Sequence, residues 1–70
     1  MFKEFIGKNV VVSADFYMRF HGILISEGED FIKMEVKHQK MYNNAGRYKY
    51  HLGTTNINKQ SIIAISEEQN

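Results

Sequence analysis

The pattern of apolar and polar positions is β throughout. Asn9-Val10-Val11-Val12-Ser13 is a β-branched run behind Gly7 and predicts a first strand. Ala14-Asp15 reads as a tight turn into Phe16 to Ser26, a run long for one strand. Gly22 in its middle marks a sharp bend or the close approach of another backbone. After the turn Glu27-Gly28-Glu29, the segment Asp30 to Val36 alternates cleanly. Ile32, Met34 and Val36 fall on one face, and Phe31, Lys33 and Glu35 on the other.

Gln39 to Gly46 carries the turn signal Asn43-Asn44-Ala45-Gly46, and Arg47 to Leu52 predicts a returning strand that Gly53 to Asn56 either continues or breaks. Ser61-Ile62-Ile63-Ala64-Ile65-Ser66 predicts the last strand, followed by a polar tail. Met1 to Ile6 is the only helix candidate. It is too short to stand alone and is expected to lean on the sheet through Phe2, Phe5 and Ile6.

Five strands within seventy residues cannot form two packed sheets of useful size. The economical fold is all-β with a short N-terminal helix: one strongly bent, five-stranded antiparallel sheet curled into an SH3-like open barrel, a single domain over residues 1–70. Such a barrel has two open edges, and a chain this short has little stability of its own. There is no Cys, so disulfides and thiolate metal sites are excluded. His21, His38 and His51 lack paired-ligand spacing, and no metal or cofactor is expected. Self-association remains as the stabilising device, with the strand around Tyr48 to Leu52 pairing with the last strand of a neighbour to close a ring.

Net charge is +1, but its distribution is uneven. Met1 to Asp30 carries three basic and five acidic residues, whereas Phe31 to Lys59 carries six basic residues against Glu35 alone. A basic segment interleaved with aromatic residues suits an anionic partner, and nucleic acid is the commonest. No apolar run reaches the length of a membrane span and no signal peptide is expected, so the setting expected is cytoplasmic, without membrane contact. Catalysis has no foothold: no serine lies in a G-x-S-x-G motif, the five glycines are scattered, and Glu27, Glu29 and Asp30 read as a solvated turn. The chain is expected not to be an enzyme.

Phe5-Ile6-Gly7-Lys8-Asn9-Val10-Val11-Val12, then Gly22-Ile23-Leu24, then Asp30 to Val36, resembles the first Sm motif of the Sm-like (LSm/Hfq-like) superfamily. Lys59 to Ile65 is similar in position to the short second motif. The resemblance covers nearly the whole chain outside the insert from Lys37 to Asn56. It implies a ring of about six or seven subunits that binds single-stranded RNA around its pore. On that resemblance Phe31 matches the aromatic that stacks on a base, and Glu29 or Asp30 the acidic position before it. Lys33 stands where Sm proteins carry a base-contacting Asn. Lys59 matches a Lys of the second motif, and Gln60 stands where Hfq has a His. The Arg-Gly of the Sm signature is absent.

Single-strand recognition needs flat side chains to stack on bases and cations along the backbone path. Phe31 with Lys33 supplies one such unit; the alternative is that Phe31 packs on the short helix or on a neighbouring subunit. The hairpin of Lys37-His38-Gln39-Lys40-Met41-Tyr42 and Arg47-Tyr48-Lys49-Tyr50-His51 is a second candidate, with Arg47, Lys49 and His51 on one strand face and the rings of Tyr48 and Tyr50 on the other, as an ordinary half-buried strand would also have them. The leading expectation is RNA binding through Phe31, Lys33, Lys59, Gln60 and this hairpin. Its rivals are a non-catalytic structural or protein-binding oligomer and a monomeric SH3-like module gripping a protein partner.

Overall fold

A computed structural model describes residues 2–41 and 50–69. Five antiparallel strands form one open sheet: β1 (Asn9–Ala14), β2 (Met18–Glu27), β3 (Phe31–Met41), β4 (Gly53–Asn58) and β5 (Ile62–Glu67), in the order β4-β3-β2-β1-β5. Single 3-10 turns precede β1 (Lys3–Phe5), join β1 to β2 (Asp15–Tyr17) and join β4 to β5 (Lys59–Ser61). Among the described residues no helix is long and apolar enough to cross a membrane.

The core is the inward face of the sheet. Val10 and Val12 of β1, Met18, Phe20 and Leu24 of β2, Ile32, Met34 and Val36 of β3 and Ile57 of β4 are all buried. Phe2 and Phe5 pack against this cluster, as expected, but Ile6 is 42% exposed and does not share that role. The N-terminal element is correspondingly less than a full α-helical turn. Gly7 donates its N–H to Leu24 O (2.8 Å), and the chain then enters β1.

Two elements differ from expectation. β3 does not end at Val36 but runs on to Met41, pairing with the first half of β2 from Met18↔Met41 to His21↔His38. A bulge between these halves makes this extension work, because Gly22 pairs with Val36 and His21 with His38, leaving Lys37 as the extra residue. The bulge inverts the phase of the strand. Gln39, rather than His38 and Lys40, then turns inward, where it is 3% exposed. Its amide is satisfied there: Nε2 donates to Met18 Sδ (3.6 Å) and Oε1 accepts the His51 N–H (2.7 Å).

The fourth strand is also displaced. Tyr50, His51 and Leu52 are not in a strand, and β4 begins at Gly53, whose φ of 87° supplies a left-handed corner that a side chain would strain. Thr55 Oγ1 donates to His51 O (2.9 Å) and Gly53 O (3.2 Å), bracing that corner. Ile57 then reaches the core opposite Ile32. Among the described residues the sheet's two edge strands are β4 and β5; of the edge expected around Tyr48 to Leu52, Tyr50 to Leu52 precede β4 without joining it, and Tyr48 and Lys49 lie outside the described residues.

Candidate functional site

Phe31 opens β3 and lies opposite Asn58, Lys33 opposite Asn56, and Glu35 opposite Thr54. Cross-strand partners in an antiparallel pair project to the same side of the sheet, so these six residues share the outward face of β3 and β4. The burial pattern agrees, since Ile32, Met34 and Ile57 between them are buried. Phe31 is 48% exposed and is not among the residues packed on the core. Lys33, one pleat away, is exposed. At the far end Thr54 Oγ1 donates to Glu35 Oε1 (3.0 Å), and this carboxylate bounds the strip on the side away from Phe31. The strip thus offers a ring face, a cation and two side-chain amides, closed off by an acid.

The turn after β4 is tied to the same end. The Asn58 side chain caps it by accepting the Gln60 N–H at 2.8 Å, and Lys59 N–H donates to Asp30 O (2.8 Å), just before Phe31. Gln60 is exposed beside this junction. Lys59 is differently engaged: its Nζ lies 2.6 Å from Glu27 Oε2 and 6.0 Å from the centroid of the Phe2 ring. Glu27 Oε1 also accepts the Phe2 N–H (2.7 Å). The hydrogen bond from Lys59 holds the Glu27 carboxyl down at about 2 against the opposing pull of desolvation, and the Phe2 N–H helps. Lys59 therefore joins the N-terminal turn, the end of β2 and the β4–β5 turn, and its charge faces Glu27 rather than the Phe31 strip.

Of the residues picked out in the sequence, Phe31 and Lys33 share the outward face of β3, while Lys59 and Gln60 lie in the turn after β4, which is hydrogen-bonded to Asp30 just before Phe31. Arg47, Tyr48 and Lys49 lie outside the described residues. Sequence reasoning missed Asn56 and Asn58, although Thr54, Asn56 and Asn58 already recur with the period of two that a strand face demands. It also missed the partner of Lys59, because Glu27 is distant in sequence and only the fold brings the two together.

The second feature is the β5 edge. Its register on β1 slips between Ser13 and Ala14, which leaves Ile63 as an extra residue, 71% exposed. With Phe2, Ile62, Ala64, Ile65 and Lys59 it lines an apolar groove along the outermost strand. Among the described residues no group of three or more acidic or imidazole side chains is arranged to hold a metal ion. Comparison with protein-family models and with characterised proteins gave no match.

Proposed function

We propose that this chain is a non-catalytic Sm-like subunit, its sheet an SH3-like open barrel, that assembles into a ring and binds single-stranded RNA. The free edge of β4 on one copy would pair with the free edge of β5 on the next, extending the sheet from subunit to subunit. One observation supports assembly. The edge strand β5 is apolar and exposed at Ile63, and a long apolar edge left open is an aggregation hazard unless paired in a defined way.

The RNA reading is carried by one observation: a half-exposed phenylalanine stands beside an exposed lysine, on a strip whose other side chains are two amides, a threonine hydroxyl and, at the end away from Phe31, the Glu35 carboxylate. A base would stack on Phe31, Lys33 would meet the adjoining phosphate, and Asn56 and Asn58 would supply amide donors and acceptors to base edges. Repetition around a ring would multiply a weak single contact into a usable affinity.

The test is Phe31→Ala, measured by fluorescence anisotropy with a labelled oligo-U or oligo-A. Loss of one stacked base should weaken binding by about 1–3 kcal/mol while the assembly keeps its mass. If the assembly dissociates instead, Phe31 is a contact between copies and the reading becomes a structural oligomer. Unchanged affinity with an intact assembly would exclude Phe31 as a stacking platform.

A further inference from the structure

On the outward side of β2 and β3, the bulge that lengthens β3 has a chemical consequence. A regular strand would send Lys37 and His38 to opposite faces. With Lys37 as the extra residue, both are exposed, and Lys40 follows on the outward side two positions on. His21 lies directly opposite His38, and the two rings are 5.5 Å apart at 58°. His21, Lys37, His38 and Lys40, with Asn9 of β1 and Glu68 from the tail, line one cleft of about 330 Å³.

His21 itself is incompletely satisfied. Its Nδ1 lies 3.2 Å from Glu68 Oε2, which fixes the ring, while its Nε2 is buried and has no hydrogen-bond partner among the described residues. A buried polar nitrogen without a partner is costly, and a water, an ion or a ligand that completes it relieves that cost. The surrounding cations specify the sign of that ligand. Two lysines and a second imidazole converge there, against the single carboxylate of Glu68, which His21 already engages.

We propose that this cleft binds a compact phosphate oxyanion, either free phosphate or the terminal phosphate of a nucleotide. Lys37 and Lys40 neutralise it, His38 donates to its oxygens, and His21, carrying a proton on each ring nitrogen in the complex, donates Nδ1–H to Glu68 and Nε2–H to the anion. The site is distinct from the Phe31 strip: its residues lie on the half of β3 beyond the segment paired with β4, on the facing part of β2, at the start of β1 and in the tail after β5. A tight turn of backbone N–H groups is not needed, since side chains alone supply the donors.

The experiment is a titration of the full chain, at constant ionic strength, following the imidazole resonances of His21 and His38 by ¹H–¹⁵N NMR. The probes are inorganic phosphate, adenosine 5′-monophosphate and adenosine. Saturable shifts of both rings with phosphate or with the nucleotide, but not with adenosine, are expected. Response to both phosphate probes identifies the anion alone as the ligand; response to the nucleotide only identifies a terminal phosphate with its nucleoside. Lys37→Ala or Lys40→Ala should weaken binding at least about tenfold, and the exposed Lys3→Ala should leave it unchanged. Absence of saturable shifts, or equal binding by the Lys37→Ala and Lys40→Ala variants, overturns the proposal.

Discussion

The backbone of Gly22 passes so close to Glu35 that a Cβ at Gly22 would lie 1.9 Å from the Glu35 carbonyl oxygen. No side chain tolerates that approach, and the obstacle is backbone, which cannot rotate away. Gly22 also sits where the β2–β3 register slips, so it fixes both the crossing of the strands and the phase of β3 beyond Val36. Gly22→Ala should therefore destabilise the fold by at least about 3 kcal/mol, the upper end of ordinary overpacking. Urea unfolding at matched protein concentration checks this, and an unchanged midpoint would mean that the strands do not cross there.

Glu27 supplies a pH signature. Its carboxyl ordinarily titrates near 4.5 and is held to about 2 in the fold, chiefly by the hydrogen bond from Lys59. A depressed folded value means stability that is fully present above about 4.5 and lost as the pH falls toward 2. Glu27→Gln should lower stability at neutral pH and flatten the acid limb of the stability curve in that window. Acid limbs of equal slope in the two proteins would show that Glu27 is not the group responsible.

The exposed Ile63 should report on self-association. Burying a glutamate carboxylate in an apolar contact between copies is strongly unfavourable, so Ile63→Glu should lower the assembled mass without unfolding the subunit. Light scattering paired with circular dichroism separates the two effects. Full assembly by the variant would remove β5 from the contact.

RNA binding, where it occurs through the Phe31 strip, should follow counterion release. The logarithm of the affinity should fall linearly with the logarithm of salt concentration, at about 0.7 per phosphate neutralised on a single strand. Lys33→Ala should reduce that slope by about one phosphate contact per subunit engaged, while Lys59→Ala should change it less, because Glu27 already faces the Lys59 ammonium. Equal slopes for Lys33→Ala and the unaltered chain would exclude Lys33 from the phosphate path.

Much of the fold was legible because β1, β2, the first half of β3 and β5 obey simple patterning. Ile32, Met34 and Val36 alternate in the sequence and are buried in the structure, and the glycine read as a bend or close approach is a close approach, at a shift of register. The second half of β3 was not legible, for a definite reason. Continuing the alternation past Val36 would bury His38 and Lys40, so a pattern argument must stop the strand there. The bulge evades that cost by inverting the phase, and a bulge depends on Gly22 in another strand. The start of β4 was hidden similarly: Tyr48, Tyr50 and Leu52 have a strand rhythm, but the corner at Gly53 and the anchor at Ile57 decide where pairing with β3 begins. At the candidate site Phe31 and Lys33 were readable from their own strand, whereas Asn56, Asn58 and the Glu27–Lys59 pair needed the register of separate elements.

Everything proposed about RNA rests on copies of the chain sharing their open sheet edges, and native mass spectrometry at micromolar concentration tests this most directly. Assembly through β4 and β5 should give one dominant species at a whole-number multiple of 8.2 kDa, with added mass when a short oligo-U or oligo-A is present. A dominant species of 8.2 kDa, folded and unaltered by concentration, would contradict it.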